Sequence, residues 1–146
     1  MFTSDIDNKG IQKRLGKTVA VYLYVSVACI VITNIYALFG HCIRSASMDF
    51  MFLYPLLGGV AAFMAISFFL PRLPERLRSI SRKGYNLYNS GIAALTSASM
   101  LKGIVEIAGT DSKWIVYIMV TGIALVVVGI TCQAAGIYKK KESYYF

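Results

Sequence analysis

Three long apolar stretches constrain the fold of this chain more than any other feature of its sequence. They cover residues 18–39, 49–70 and 114–137, and each is long enough to cross a bilayer as a helix. The first stretch is rich in β-branched and aromatic residues, but it is far too long for a strand. With 57% hydrophobic residues and a mean hydropathy of +0.61, the sequence indicates a membrane protein.

A fourth stretch, residues 85–109, is polar although it lies between these apolar segments. Its polar side chains include Asn86, Asn89, Ser90, Thr96, Ser97, Ser99, Lys102 and Glu106. Lipid is a poor solvent for such groups, so other helices are predicted to surround this one. Only narrow flanks, at Leu87, Leu101 and Ile92, suit contact with lipid.

These segments predict an all-α polytopic membrane protein with four transmembrane helices in an up-down bundle. The predicted organisation is an N-terminal segment at 1–17, a membrane domain at 18–137 with spans at about 18–39, 49–70, 85–109 and 114–137, and a tail at 138–146. The stretch after Lys17 is too long for a signal peptide and is interpreted as an uncleaved anchor.

The distribution of charge predicts the orientation of the bundle. The net charge is +8, and twelve of the 15 Lys and Arg residues precede the first span, join the second to the third, or follow the fourth. Only Arg44 and Lys113 lie in the opposite connections. By the positive-inside rule, both termini are predicted to be cytoplasmic, in the plasma or inner membrane. Clustered juxtamembrane charge does not indicate nucleic-acid binding.

Small residues at regular spacing predict how the helices pack. Gly122, Gly129 and Gly136 recur every seven residues in the last span, and Gly84, Gly91 and Ala98 do so in the third. The connection at 110–113 is short, so these two spans are predicted to pack antiparallel. In the second span, Gly58 and Ala62 have the small-xxx-small spacing that allows close helix contact.

The start of the second span carries two further signals. Pro55 removes a backbone donor inside a helix, so a bend is predicted there. Ser47 or Asp49 is predicted to cap this helix by accepting from its free N–H groups.

Residues 71–84 form a strongly basic connection. Its basic residues are Arg72, Arg76, Arg78, Arg82 and Lys83, predicted to contact anionic lipid headgroups. Leu73, Leu77 and Ile80 lie on one side of a helix, so one interpretation is an amphipathic surface helix. The other is a solvated loop whose charges only set topology.

Lys102 and Glu106 are the most prominent candidates for a site, since they share one face of the third helix. One interpretation is an ion pair near the membrane surface, and the other is an ion, proton or ligand site. The remaining polar candidates are Asn89, Thr96, Ser97, Asn34 and His41. For Asn34, the expectation is a hydrogen bond to a neighbouring helix.

No catalytic or cofactor chemistry is indicated. The three cysteines are widely spaced and form no C-x-x-C motif, and His41 beside Cys42 lacks the further ligands of a metal site. A single His excludes paired haem ligation, and no nucleophile–base–acid constellation is present. We therefore expect no enzymatic activity, no cofactor and no metal.

The runs NIYALFGHCIRSASMDFMFLYPLLGG and YNSGIAALTSASMLKGIVEIAGT resemble a group of small four-helix bacterial membrane proteins without an assigned activity. The resemblance implies the four-helix membrane fold and transfers no functional residue. Small multidrug exporters have a similar size, but their signature carboxylate lies in the first span, which has none here.

Two functional hypotheses of different class follow. The first is a structural or accessory membrane protein that acts by helix packing with another copy or a larger membrane partner. The alternative is a small transporter or channel with a polar path along the third helix. A water-filled cavity reaching Thr96 is the feature that would favour the second hypothesis over a fully packed bundle.

Overall fold

The computed structural model describes the backbone of residues 2–39, 44–69 and 82–142, and the side chains of residues 10, 12–39, 44–68 and 82–135. The regular elements in chain order are α1 (Phe2–Phe39), α2 (Ala46–Asp49), a π-helix (Tyr54–Ala61), α3 (Ala62–Phe69), α4 (Arg82–Ile107) and α5 (Lys113–Glu142). All elements of the described ranges are helical, which confirms the predicted all-α class there.

Three stretches of these helices are long and apolar enough to cross a membrane: Gln12–Phe39, Ala46–Phe68 and Lys113–Ala135. Helix α4, predicted as the third span, has 26 residues and is also long enough. It is not among the three, because its polar side chains lower its hydropathy.

The first and last helices extend beyond the predicted spans. Helix α1 begins at Phe2 rather than near residue 18, and α5 continues through Glu142 into the predicted tail. No proline interrupts either segment, so nothing in the sequence ends these helices at the apolar boundary.

The second span is irregular around the predicted bend at Pro55. Turns follow α2 at Phe50–Phe52, and the eight-residue π-helix begins at Tyr54. Because proline has no N–H to donate, the regular α-helical hydrogen bonding is interrupted at this point. The segment around Pro55 therefore changes helix type, and regular helix follows in α3.

Helix α4 lies between two sets of partners. It packs along α5 on one side and against α2 and the π-helix on another, while α1 packs against α2, the π-helix and α3. Leu15 and Phe63 form a buried cluster with Val19, Tyr22, Tyr85 and Tyr88, which joins α1, α3 and α4. We call the end with residues 44–49 and 108–113 the connection end, and the end with Lys17 and Arg82 the basic end.

The turn after α4 explains how the chain reverses into α5. Gly109 has a φ of 70°, the left-handed conformation that favours glycine after a helix. The N–H of Thr110 donates to the carbonyl of Val105 over 3.1 Å, which satisfies one of the free carbonyls at the helix end. The reversal brings α5 back antiparallel along α4.

Candidate functional site

Glycines let α4 and α5 approach each other closely. A Cβ built at Gly91 would lie 2.7 Å from the backbone N of Val126, and one at Gly129 would lie 2.7 Å from the backbone N of Tyr88. Gly84 and Gly122 meet the partner helix in the same way, at Gly129 and Leu95. Four of the predicted small-residue positions, two on each helix, therefore lie in the contact between α4 and α5. Ala98, which shares their spacing on α4, is fully buried. The contacts of Gly136 lie outside the described side chains.

Glu106 holds the connection end of the chain together. Its carboxylate accepts hydrogen bonds from the hydroxyls of Ser45 and Ser47, the second over 3.0 Å. Lys102 Nζ lies 3.8 Å from Glu106 Oε1, and the side chains of both residues are about half exposed. The predicted Lys102–Glu106 pair is therefore a loose surface pair, whereas the serine hydroxyls are the nearer partners.

Further contacts fasten α2 to its neighbours. Ser99 of α4 donates to the carbonyl of Ser47 over 2.6 Å, and Thr33 of α1 donates to the carbonyl of Met48 over 3.1 Å. Gly103 leaves room for the buried Met48. Helix α2 is thereby fixed between α1 and α4.

The predicted helix cap is wrong in its residues. Ser45 occupies the position before α2 and makes no side-chain cap, because its hydroxyl is directed to Glu106. Ser47 bonds the same carboxylate, and Asp49 forms a bidentate ion pair with Arg44 at 3.1–3.2 Å. The side chains that could cap α2 are therefore bonded to Glu106 or Arg44 instead.

A second polar cluster lies toward the basic end. Tyr22 of α1 donates to Asn89 of α4 over 2.7 Å, and the hydroxyls of Thr18 and Tyr85 lie 2.5 Å apart. The ring of Phe63 packs against Tyr22, Tyr85 and Tyr88, with centroids 5.5–5.8 Å apart. Asn89 thus acts as an interhelical acceptor in this structure.

A cleft of about 530 Å³ opens beside α4 toward the connection end. Its polar lining comes from Ser47, Tyr54, Ser99 and Lys102, and the remainder is mainly apolar. We call it the connection-end cleft. Lys102 is the one charged residue that lines it among those the structure describes.

A second cleft of about 480 Å³ lies between α1 and α4 toward the basic end. Its lining includes the predicted site residues Asn89, Thr96 and Ser97, with Thr18, Tyr22 and Tyr85 as further polar groups and Lys17 as its charged residue. We call it the basic-end cleft. This cleft reaches Thr96 and is half-open at the surface of the helices.

Ile92 is the one described residue that lines both clefts. Its side chain is 5% exposed, which corrects the expectation that it faces lipid. The terminal methyl of Ile92 packs directly over Gly58 of the π-helix, into the space that a Cβ would occupy. Tyr88 donates to the carbonyl of Gly58 over 2.7 Å and holds the same turn.

Other predicted polar residues bond within their own helices. The amide of Asn34 donates to the carbonyl of Ile30 over 2.8 Å and is exposed, so the expected bond to a neighbouring helix is wrong. Thr96 donates to the carbonyl of Ile92 over 2.9 Å. Back-bonding of this kind satisfies a hydroxyl or amide without a tertiary partner.

The predicted enclosure of α4 is realised on one face. Six of its residues are buried, including Ile92, Ala98, Ser99 and Gly103, more than on any other helix with described side chains. The opposite side leaves Asn86, Ser90, Ala93 and Ser97 exposed. We call these four residues the α4 seam.

Several predicted residues fall outside the described part of the chain. His41, Arg72, Arg76 and Arg78 belong to this group, whereas Arg82 and Lys83 are exposed at the start of α4. Ala62 begins α3 and is partly buried. Among the described residues, no group of three or more His, Cys, Asp or Glu is placed to hold a metal ion.

Sequence reasoning missed Ser45, Ser99 and Gly103 as partners of α2, and Ile92 as a lining residue of both clefts. The serines carried a usable signal, because three hydroxyl residues at 45, 47 and 99 lie near predicted helix ends or inside a predicted span. No sequence pattern marks Ile92, because its place in both clefts depends on how the helices pack.

Comparison of the chain with models of protein families, with curated proteins and with solved structures gives no match at a significant level. The functional assignment consequently depends on the geometry and chemistry described above.

Proposed function

We propose that this chain is a multi-pass protein of the plasma or inner membrane, with both termini in the cytoplasm, that acts through helix packing with a second copy of itself. Three helices of sufficient length and apolarity support the membrane location. The orientation is supported by the excess of Lys and Arg in the sequence before the first span, between the second and third spans and after the fourth. We propose no enzymatic activity for it.

The α4 seam is the observation that carries the proposal. Asn86, Ser90, Ala93 and Ser97 follow one another at intervals of four, three and four residues, the spacing of the a and d positions of a coiled coil. All four are exposed in the single chain. In a membrane, lipid cannot satisfy an amide or hydroxyl, whereas a second helix can, and small residues let it come close.

A second copy fits this seam better than lipid or a charged partner. Two copies share one orientation in the membrane, so a two-fold axis along the membrane normal places each seam residue beside its counterpart. An asparagine amide both donates and accepts, so Asn86 can bond the same residue of the other copy. None of the four residues is charged, so the pairing brings no repulsion.

The orientation is tested with reporters fused to either terminus and within the connection at residues 110–113. We expect cytoplasmic signals at both termini and an external signal at the connection. An external signal at the termini would contradict the orientation, and release of the protein by alkaline carbonate would contradict the membrane location.

Self-association is tested by counting photobleaching steps of fluorescently labelled protein in liposomes over falling protein-to-lipid ratios. We expect two-step events in the wild type and mostly single steps in Ser90→Leu and Ser97→Leu. Val127→Leu, at an exposed position of α5, is the matched control and should behave as wild type. Single steps at every density would contradict self-association, and a heterologous partner would then be sought by cross-linking in native membranes.

A further inference from the structure

Two clefts open toward opposite ends of α4 and share one buried lining residue. The basic-end cleft runs from Lys17 to Thr96 and Ser97, and the connection-end cleft runs from Ser47 and Lys102 inward. Ile92 lines both. We infer that the clefts are two halves of a transmembrane path for small, mainly apolar solutes with one negative charge, closed in this structure by Ile92 against Gly58. The inference rests on the membrane location proposed above.

The contact of Ile92 with Gly58 is made on the irregular part of the fold. Ile92 packs over Gly58 with its terminal methyl, the most mobile part of that side chain, so a small rotation of its end changes the contact. The same π-helix contributes Pro55 to one cleft and Tyr54 and Leu57 to the other. π-helical segments often occur at functional sites, and here the segment forms a wall common to both clefts.

The chemistry of the lining defines the class of solute. Each cleft has a mainly apolar wall with a few hydroxyl or amide groups, which suits a small organic body held by a few polar contacts. Each also has one lysine and no aspartate or glutamate among its described lining residues. Lys102 is only loosely paired with Glu106, at 3.8 Å, and Lys17 makes no ion pair with a described residue. Such a lining attracts an anion and repels a cation.

The proposed pairing of two copies is compatible with this path. Ala93 and Ser97 belong to the α4 seam and also line the basic-end cleft. A second copy on the seam therefore covers the side of the cleft that a single chain leaves open to lipid. Covering the cleft in this way separates a polar solute from the hydrocarbon.

The test is efflux from liposomes that contain the full-length protein and are loaded with radiolabelled p-toluenesulfonate, a permanently charged anion with an apolar body. Benzyltrimethylammonium is the matched cation, and potassium with valinomycin removes the membrane potential. We expect anion efflux well above that of protein-free liposomes and above that of the cation. Ile92→Ala should increase anion efflux, because it removes the barrier.

Lysine variants separate charge attraction from leakage. Lys17→Gln and Lys102→Gln should each reduce anion efflux about tenfold, since each removes the single positive charge of one cleft. Lys113→Gln is the control, because this exposed lysine lines neither cleft and should leave efflux unchanged.

Efflux no greater than that of protein-free liposomes would overturn the inference, provided that alkaline carbonate leaves the protein in the membrane. Equal efflux of anion and cation, or wild-type efflux in both cleft variants, would also overturn it. Extraction of the protein by carbonate would instead show that the proposed membrane location had failed. Single photobleaching steps together with selective efflux would overturn only the pairing of two copies.

Discussion

Ser47 Oγ on α2 donates a hydrogen bond of 3.0 Å to Glu106 Oε1 on α4, 59 residues further along the chain. The hydroxyl of Ser45 bonds the same carboxylate, and Ser99 of α4 donates to the carbonyl of Ser47. Glu106 therefore joins the segment before α2 to the last turn of α4. Its principal role in this structure is to accept hydroxyl donors, and the ion pair with Lys102 is secondary.

This assignment predicts that Glu106→Ala is more damaging than Lys102→Met. Loss of the carboxylate removes the partner of two hydroxyls and should lower the free energy of unfolding by about 1–2 kcal/mol. Loss of Lys102 removes only an exposed ion pair, worth at most about 1 kcal/mol. Thermal unfolding of both variants in detergent, followed by circular dichroism, measures the difference. Equal melting temperatures in the two variants would contradict the assignment.

Close packing of α4 on α5 predicts that added methyl groups at the glycines force the helices apart. In Gly91→Ala the new Cβ meets the backbone of Val126, which cannot move without shifting the helix. We expect a loss of about 1–3 kcal/mol in stability, the usual cost of overpacking. The same thermal melts check this variant.

Gly16→Ala is the control for that substitution, because nothing lies within 4 Å of a Cβ at Gly16. Alanine is the better helix former, so this variant should be as stable as the wild type or more so by up to about 1 kcal/mol. A Gly91→Ala variant as stable as Gly16→Ala would disprove the close contact between the helices.

The hydrogen bond from Tyr22 to Asn89 predicts a specific loss in Tyr22→Phe. The substitution keeps the stacking of the ring on Phe63 and removes only the hydroxyl that Asn89 accepts. Polar contacts between membrane helices are worth on average about 0.6 kcal/mol, so the expected loss is of this size. Tyr24→Phe, at a side chain that is 76% exposed, should have no effect on stability. A double-mutant cycle with Asn89→Leu measures the coupling, and additive effects would refute it.

The basic segment at residues 71–84 predicts preference for anionic lipid. Each lysine or arginine near an anionic surface contributes about 1 kcal/mol to binding. A peptide with this sequence should bind vesicles that contain phosphatidylglycerol far more tightly than vesicles of phosphatidylcholine alone, as measured by sedimentation. Replacing the basic residues Arg72, Arg76, Arg78, Arg82 and Lys83 by glutamine should abolish the preference. Equal binding of the unmodified peptide to both vesicles would refute the prediction.

The helical class and the packing of α4 on α5 were predictable because both follow from periodicity. Apolar length identifies helices, and glycines such as Gly122 and Gly129 that recur every seven residues mark one helix face. An interruption of regular α-helical hydrogen bonding at Pro55 was also predictable, since proline always removes a donor. Its form as a π-helix was not, because that depends on how the surrounding helices hold the turn.

The partners of individual polar groups were not predictable from the sequence. Local rules assigned Lys102 to Glu106, Asp49 to a helix cap and Asn34 to a neighbouring helix. In the structure, Glu106 bonds hydroxyls that lie 59 and 61 residues away, which only tertiary packing brings within reach. Asn34 bonds the carbonyl four residues earlier, a choice that competes on equal terms with interhelical bonding.

Disulfide cross-linking along the α4 seam tests whether two copies of the chain assemble through this face of α4. In a protein whose Cys29, Cys42 and Cys132 are replaced by alanine, single cysteines are introduced as Ser90→Cys and Ser97→Cys, with Val120→Cys on the exposed side of α5 as the control. Native membranes are then oxidised and the products are separated without reductant.

We expect a product of twice the monomer mass for both seam variants and little or none for the Val120→Cys control. Cross-linking at the control position equal to that at the seam, or monomer alone in all three variants, would contradict the assembly of two copies through α4.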